Sequence, residues 1–207
     1  MDNLITKTTE LALHLIQPYI KNAPAPAFII DATCGNGHDT LALAKMLFGS
    51  NTGVVQHTPA RLLAIDIQPE AIAQTEALLC ETGFSGEVAD GRISLICGSH
   101  ADLTDFFPSD AKAAAIVFNL GYLPGGDKTI TTAAGTTVRA AEAALGVLQG
   151  NGILSITMYS GHEAGAREKE ALMAFASELD PHQYHVAYVS MPNQRNHPPE
   201  ILLITKK

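Results

Sequence analysis

A chain of 207 residues with 46% hydrophobic and 16% charged residues is long enough to bury a core and too apolar to be disordered. Its formal net charge of −8 excludes a protein that coats nucleic acid through an overall basic surface, while leaving room for a local basic groove. Cys34, Cys80 and Cys97 are too few and too scattered for a disulfide framework or a zinc site, and read as small, mostly buried residues in a reducing compartment.

The start Met1-Asp2-Asn3-Leu4 lacks the charged lead and apolar centre of a signal peptide, and no apolar run approaches membrane-spanning length. A cytoplasmic protein without membrane contact is expected. Leu4, Leu11, Leu15 and Ile16 recur at helical spacing, which predicts an amphipathic helix over residues 4–20. The prolines of Asn22 to Pro26 break it. A first strand, residues 27–31, ends in Asp31; the small-residue loop Ala32-Thr33-Cys34-Gly35-Asn36-Gly37-His38-Asp39-Thr40 follows, then a helix to about Phe48. Residues 54–60 read as a polar surface insertion.

A second strand, 61–66, ends in Asp66, and Pro69 opens a helix that runs to Leu79. Residues 83–91 read as a loop, 92–97 as a third strand closed by Gly98-Ser99-His100, and Leu103, Phe106 and Phe107 as a short helix ending at Pro108. The fourth strand, 113–119, leads into Leu120-Gly121-Tyr122-Leu123-Pro124-Gly125-Gly126-Asp127-Lys128. An Ala-rich helix over 131–148 and a tight turn at Gly150-Asn151-Gly152 precede the fifth strand, 153–158. Tyr159-Ser160-Gly161-His162 then opens a helix over 163–179, and strands 184–190 and 201–205 flank a polar loop, Met191 to Pro199.

Strand and helix alternate five times without a repeat or linker, which predicts a parallel, doubly wound α/β sheet in a single domain over 1–207, with 1–26 as helix and lead-in. The roughly ten-residue loop between the last two strands is too short for a parallel crossover, so those two should form an antiparallel hairpin at one end of the sheet.

Ligands of such sheets bind outside the carboxyl ends of the strands. Those ends carry Asp31, Asp66, Ser99-His100, Asn119 and Tyr159. The glycine loop lacks the Gly-Lys-Ser/Thr of a phosphate loop and the third glycine of a dinucleotide fold, where this chain has Thr40. Asp66 can accept two hydrogen bonds from a ribose diol or cap the helix before Pro69. Gln68 is either a ribose or adenine contact or an exposed loop residue. Ser99 and His100 can flank an adenine edge, and a helix cap competes for His100. Asn119 can accept a hydrogen bond from a target amine and Tyr122 can stack on a planar base; the plain alternatives are a turn former and a packing aromatic.

The acid, glycine loop, second acid and antiparallel terminal pair resemble the class I S-adenosylmethionine-dependent methyltransferases over nearly the whole chain. That resemblance implies a Rossmann-like seven-stranded sheet, mostly parallel with an antiparallel C-terminal strand. It places Asp31, Thr33, Cys34, Gly35, Asn36, Gly37, His38, Asp39 and Thr40 around the methionine part of S-adenosyl-L-methionine. Asp66 and Gln68 fall near the ribose, Ser99 and His100 near the adenine, and Asn119 near both cofactor and substrate. Asn119-Leu120-Gly121-Tyr122 resembles the Asp/Asn-Pro-Pro-Tyr/Phe signature of base-amine methyltransferases, departing at both prolines.

Together with Tyr159-Ser160-Gly161-His162 and Asn193-Gln194-Arg195-Asn196-His197-Pro198-Pro199-Glu200, these segments are similar to a family labelled rRNA methylases. Its characterised members act as tRNA 5-aminomethyl-(2-thio)uridine methyltransferases on the wobble uridine. His197 stands where Asn is expected, and 54–60 looks extra. The resemblance implies tRNA, held at its anticodon region, as substrate, with a homodimer left open. An alkyl ammonium with a pKa near ~10.4 needs about 4–5 kcal/mol to lose its proton at pH 7. Asp127 is then expected to hold the ammonium, or only to shape its turn, while Tyr159 or His162 assists the proton, or His162 merely caps its helix. The transfer itself needs no metal. Lys128, Arg139, Arg167, Lys169 and Arg195 are candidate RNA contacts, with Arg195 and Asn196 singled out. An rRNA exocyclic-amine methyltransferase, a cofactor-binding regulatory module without turnover and, more distantly, a nicotinamide-dependent oxidoreductase are the competing expectations.

Overall fold

Seven strands form one sheet in the order β3-β2-β1-β4-β5-β7-β6. The computed structural model describes residues 7–49, 60–121, 132–195 and 197–207. The expectations for Leu4, Tyr122, Asp127, Lys128 and Asn196, and for the insertion at 54–59, lie outside those residues; Ala60, the last of the expected insertion, is fully buried.

The strands are β1 (Phe28–Asp31), β2 (Arg61–Asp66), β3 (Ile93–Cys97), β4 (Ala113–Asn119), β5 (Leu148–Met158), β6 (Tyr184–Val189) and β7 (Glu200–Lys206). The first five are mutually parallel; β7 runs antiparallel to both β5 and β6, inserted between them. The short β6–β7 connection dictates this, because a loop of that length cannot carry a parallel crossover. The chain therefore has the Rossmann-like, mostly parallel sheet with an antiparallel C-terminal strand that its sequence implies.

The helices are α1 (Thr8–Lys21), α2 (His38–Phe48), α3 (Pro69–Glu81), α4 (Ser85–Ala89), α5 (Leu103–Phe106), α6 (Ala134–Val147) and α7 (Glu163–Ser177). Side chains alternate across each strand, so Ile29 and Ile30 enter different cores. On one face Ile29, Val117 and Leu203 meet Ile16 and Ile20 of α1 and Leu43 and Leu47 of α2. On the other, Ile30, Phe118 and Ile156 meet Leu103, Ala141 of α6 and Leu172 of α7. The same alternation turns Asp31 and Asn119 toward the face that carries α2, whose first turn supplies their partners.

Several boundaries and burials differ from expectation. α1 runs through Pro18 as expected and ends at Lys21, one residue later, because a proline in the last turn removes a single ladder bond and the Asn22 N–H still reaches Pro18 O at 3.0 Å. The expected loop at 83–91 contains α4. The expected turn at 150–152 lies inside β5: Leu148 already pairs with Ala113, and the excess chain before Ile153 pairs with Ala115 is absorbed as an irregularity that includes Asn151 at φ 60°. Cys80 and Cys97 are exposed and only Cys34 is buried, since the first two lie on an outer helix face and at a strand end near the sheet edge. β6, an edge strand, is mostly exposed despite its apolar letters.

Candidate active site

Asp31 ends β1 fully buried. Its Oδ2 accepts a 2.6 Å hydrogen bond from the Thr40 hydroxyl in the first turn of α2, and its Oδ1 accepts from the Thr33 N–H at 3.3 Å. Burial, then repulsion from Asp39, pushes its pKa up to about 7. Around it the loop is fastened at each step. The Cys34 N–H donates to Ile65 O of β2 at 2.9 Å, and the Gly37 N–H to Cys34 O at 2.8 Å. Gly37 sits at φ 82°, and a Cβ there would lie 2.9 Å from the Thr75 Cα of α3, so only glycine fits. The Thr75 hydroxyl donates to Gly35 O at 3.1 Å. Burial pushes the Cys34 thiol up, which leaves it neutral and inert.

Asp66, at the end of β2, receives the Gly35 N–H on Oδ2 and the Gln68 N–H on Oδ1, both at 2.9 Å. Its carboxylate thus locks the glycine loop to the start of α3, and each oxygen keeps a lone pair for a ligand.

A cavity of about 1020 Å³ opens along the carboxyl edge of the sheet. Thr33, Cys34, Gly35, Asn36, His38 and Asp39 line it from the glycine loop, joined by Asp66, Gln68, Ser99, His100, Asn119, Tyr159 and His162. Asp31, Gly37 and Thr40 stand behind that lining and hold it. Residues named separately from five strand ends therefore meet at one site, at the upper end of the roughly 300–1,000 Å³ typical of small-ligand pockets.

The Ser99 hydroxyl accepts from the Ala101 N–H at 3.2 Å and caps a 3-10 turn, His100–Asp102, so the cap that was the alternative reading of His100 falls to Ser99. The His100 ring stands edge-on to Phe118 at 5.8 Å, and its buried Nε2 has no hydrogen-bond partner among the described residues. Burial holds the imidazole below its ordinary pKa, against the pull of Asp66 and Asp102, and favours the neutral ring.

At the end of β4 the Asn119 N–H donates to Thr33 Oγ1 at 2.7 Å, and its Nδ2 donates to Asp39 Oδ2 at 3.0 Å. A carboxylate accepts only, so this contact fixes which way the amide faces. Among the described residues Asn119 Oδ1 is buried without a hydrogen-bond partner. Burial raises the pKa of Asp39, opposed by the Asn119 hydrogen bond and by His38. Burial, with the charge of Asp39, also raises the Tyr159 phenol against the effect of Asn119, so Tyr159 stays protonated at neutral pH. His162 is the N-cap of α7, its Nδ1 accepting from the Gly165 N–H at 3.0 Å, and it lines the cavity as well. Gly165 is required there: an added Cβ would come within 2.0 Å of Tyr159 O.

Three features escaped the sequence. Ile67, an apolar residue 59% exposed directly after Asp66, lines the cavity; an apolar letter after a strand-end acid was its available signal. Glu168, only 3% exposed, accepts from the Thr132 hydroxyl at 2.9 Å and from the Thr137 hydroxyl. Thr132 in turn accepts from the Gly121 N–H at 2.9 Å and donates its own N–H to Gly121 O at 3.1 Å. One buried carboxylate thereby ties α6 and α7 to the segment that follows Asn119. Burial raises its pKa, while Thr137, Thr132 and His162 oppose the rise. Within Arg167-Glu168-Lys169-Glu170 it looks solvated, but Gly165, Glu168, Leu172 and Ala176 fall on one helical stripe, which was the signal. The third is a smaller cavity, of about 400 Å³, which Arg195 lines instead of the main one; His197 lines both.

The sheet order, the fastened glycine loop and the acid at the end of β2 define a methyltransferase-type domain, and known proteins agree. The structure matches that of a "putative rRNA-methylase" from Clostridium thermocellum with a TM-score of 0.84 and 32% identity, over 98% of this chain and 99% of that one. It matches a "putative methyltransferase" from Streptococcus mutans, solved in complex with SAH, with a TM-score of 0.76 and 27% identity over 95% and 98%. The family model described as "Putative rRNA methylase" matches residues 62–205, and this chain belongs to that family. Among curated proteins, the chloroplastic tRNA (mnm(5)s(2)U34)-methyltransferase of Arabidopsis thaliana is 38% identical over 173 residues. That alignment covers 84% of this chain, which spans 60% of the length of the plant protein.

Proposed function

We propose that residues 1–207 act as one S-adenosyl-L-methionine-dependent methyltransferase domain whose acceptor is an amine nitrogen of RNA. The acceptor in this reading is the aminomethyl group of wobble 5-aminomethyl-(2-thio)uridine in tRNA. The observation that carries it is the Asn119 amide: Asp39 holds its Nδ2, and its buried Oδ1 accepts nothing from the described residues. A buried acceptor left empty is costly, by about 1–3 kcal/mol, unless a ligand N–H fills it. An amine that donated one hydrogen to Oδ1 would be held at the end of β4 beside the main cavity, where S-adenosylmethionine, when bound, would supply the methyl group.

The rest of the cavity suits a cationic donor. Asp39 and Asp66 line it and Asp31 lies behind the loop, so carboxylates face the sulfonium and amino groups of S-adenosylmethionine. The spare lone pairs of Asp66 take the ribose hydroxyls, exposed Ile67 packs on the adenine face and His100 Nε2 meets its edge. The SAH bound by the S. mutans relative supports this assignment. Support for the wobble uridine comes from the named activity of the plant relative. In the same reading Tyr122 stacks on the base, Asp127 holds the ammonium, Tyr159 or His162 helps pass its proton to water, and Arg195 and Asn196 contact the anticodon region. Among the described residues no helix is long and apolar enough to cross a membrane. Exposed Cys80 and Cys97 suit a reducing compartment, in keeping with a cytoplasmic enzyme.

The deciding experiment incubates the protein with S-adenosylmethionine and tRNA from a strain lacking the gene, followed by nucleoside mass spectrometry. Conversion of aminomethyluridine to methylaminomethyluridine is expected. A methyl gain at another nucleoside would move the assignment to a different RNA amine, and binding of cofactor without any transfer would leave a regulatory module.

A further inference from the structure

The smaller cavity, of about 400 Å³, is walled by the β5–α7 connection, by α7, by the β6–β7 connection and by the start of β7. His197 is its common wall with the main cavity. That residue sits at φ 48°, a left-handed conformation that a non-glycine side chain seldom adopts and that Asn and His tolerate best. Its tolerance explains why His can replace the Asn expected here. Such backbone strain is concentrated at functional sites.

Behind His197 lies a polar cluster drawn from four elements. Glu200 Oε2 accepts from Lys169 Nζ at 2.6 Å and from the Ser160 hydroxyl at 3.1 Å, while Oε1 accepts from the Tyr188 hydroxyl. Lys169 Nζ also stands 5.4 Å from the centroid of the Tyr188 ring. Glu200 therefore holds the Lys169 ammonium in one place and uses one of its three N–H donors. Burial pushes the Glu200 carboxyl up, but Lys169 and Tyr188 outweigh it and hold its pKa below the ordinary value. Arg195 lines the same cavity, exposed and without an ion pair among the described residues. Two cationic side chains, of which Glu200 fixes Lys169, stand against one carboxylate and make a locally positive recess in a chain of net charge −8. A recess of that sign and size fits one anionic group with an attached sugar.

We propose that this cavity seats the phosphodiester next to the target nucleotide, with Lys169 and Arg195 on its non-bridging oxygens and His197 between that phosphate and the base in the main cavity. The proposal rests on the reading of the substrate as RNA. It gives the enzyme a way to register the strand while the target base leaves its stack, since phosphate contacts position and carry no sequence information.

The test uses the full-length protein and an anticodon stem-loop carrying the aminomethylated uridine. Relative to wild type, Arg195→Ala and Lys169→Gln should each weaken stem-loop binding by about tenfold and leave SAH binding unchanged. Each should also flatten the slope of log affinity against log salt by about 0.7, the share of one single-strand phosphate. Stem-loops with one neutral methylphosphonate linkage, placed 5′ or 3′ of the target, locate the contact. One of the two should cost wild type about tenfold and cost Arg195→Ala nothing further. Equal salt slopes and equal methylphosphonate penalties in wild type and both variants, with wild type still methylating the stem-loop, would overturn the subsite alone. A wild-type protein that neither binds nor methylates the stem-loop would remove the RNA reading and this proposal with it.

Discussion

The two halves of the carboxyl edge are built in different ways. At β1 and β2 the polar atoms that shape the site belong mainly to the backbone. Gly35 and Gln68 N–H groups meet Asp66, Cys34 meets Ile65, and Gly37 has no room for a side chain beside Thr75. At β4, β5 and β7 the site hangs on buried or half-buried carboxylates, Glu168 and Glu200, that gather hydroxyls and a cation from distant segments. A backbone cradle suits a ligand whose shape never varies, such as a cofactor. A side-chain frame can be altered residue by residue and suits the partner that differs among relatives. Substitutions in the first half should therefore damage cofactor binding and folding together, and those in the second should separate transfer from cofactor affinity.

The largest separation is expected from Asn119→Ala. Loss of one preorganised hydrogen-bonding group at a reacting centre typically lowers kcat by about 10²–10³. Alanine keeps the backbone N–H bond to Thr33 and loses the Nδ2 bond to Asp39, so SAH affinity measured by calorimetry should fall by no more than about tenfold, far less than kcat. A variant that loses cofactor binding in step with activity would place Asn119 in the first half of the comparison.

Glu168→Ala strands the Thr132 and Thr137 hydroxyls and opens a cavity, which should cost about 2–4 kcal/mol of stability by denaturant titration. Glu168→Gln keeps one acceptor and the volume, so it should fold with a loss nearer ~1 kcal/mol. Its kcat should still fall, by about tenfold, because the bond network to Gly121 after Asn119 is weakened. Unchanged kcat in a folded Glu168→Gln protein would reduce the network to a purely stabilising one.

The difference between the halves also sets what the sequence makes legible. Asp31, the glycines and Asp66 are each local signals, an acid at a strand end and small residues in a tight loop, so the cradle and the sheet are readable before any coordinates. Glu168 pairs with Thr132 across 36 residues and Glu200 with Ser160 across 40, and neither partner advertises the other. Local patterning misleads where tertiary position decides burial. Glu168 sits in a charged run yet is buried, Cys80 and Cys97 are apolar letters yet exposed, and the strand-like apolar run of β6 faces solvent at the sheet edge. The 150–152 segment reads as a turn from Gly-Asn-Gly, but β5 continues through it because pairing of Leu148 with Ala113 outweighs local preference.

A smaller effect should appear in the cradle as pH changes. Asp31 has its pKa raised to about 7, well above the 3.8 of an unfolded carboxyl. A raised carboxyl stabilises the fold at low pH, and that contribution is lost as pH climbs from about 4 through about 7. The α-ammonium that S-adenosylmethionine and SAH share favours the ionised form, so binding of either should strengthen as pH rises through this window. SAH affinity is expected to be about tenfold weaker at pH 6 than at pH 8, and Asp31→Asn should flatten that dependence. A wild-type profile as flat as that of the variant would take Asp31 out of the binding equilibrium.

The smallest effect distinguishes two cations on one helix. Arg167 and Lys169 are both α7 residues in a charged run, and both were candidates for RNA contact. Arg167 is 63% exposed and paired with Glu163 one turn away, whereas Lys169 is 30% exposed and held by Glu200 at the smaller cavity. An exposed i,i+4 pair of the first kind contributes no more than about 0.5 kcal/mol, since solvent screens it and two long side chains must be ordered to make it. Arg167→Ala should therefore leave the unfolding free energy within ~0.5 kcal/mol of wild type and the salt slope of stem-loop binding unchanged. A flattened slope in Arg167→Ala would extend the proposed RNA path onto the outer face of α7, and position on the helix, rather than fixation by half-buried Glu200, would then decide which cations meet phosphate.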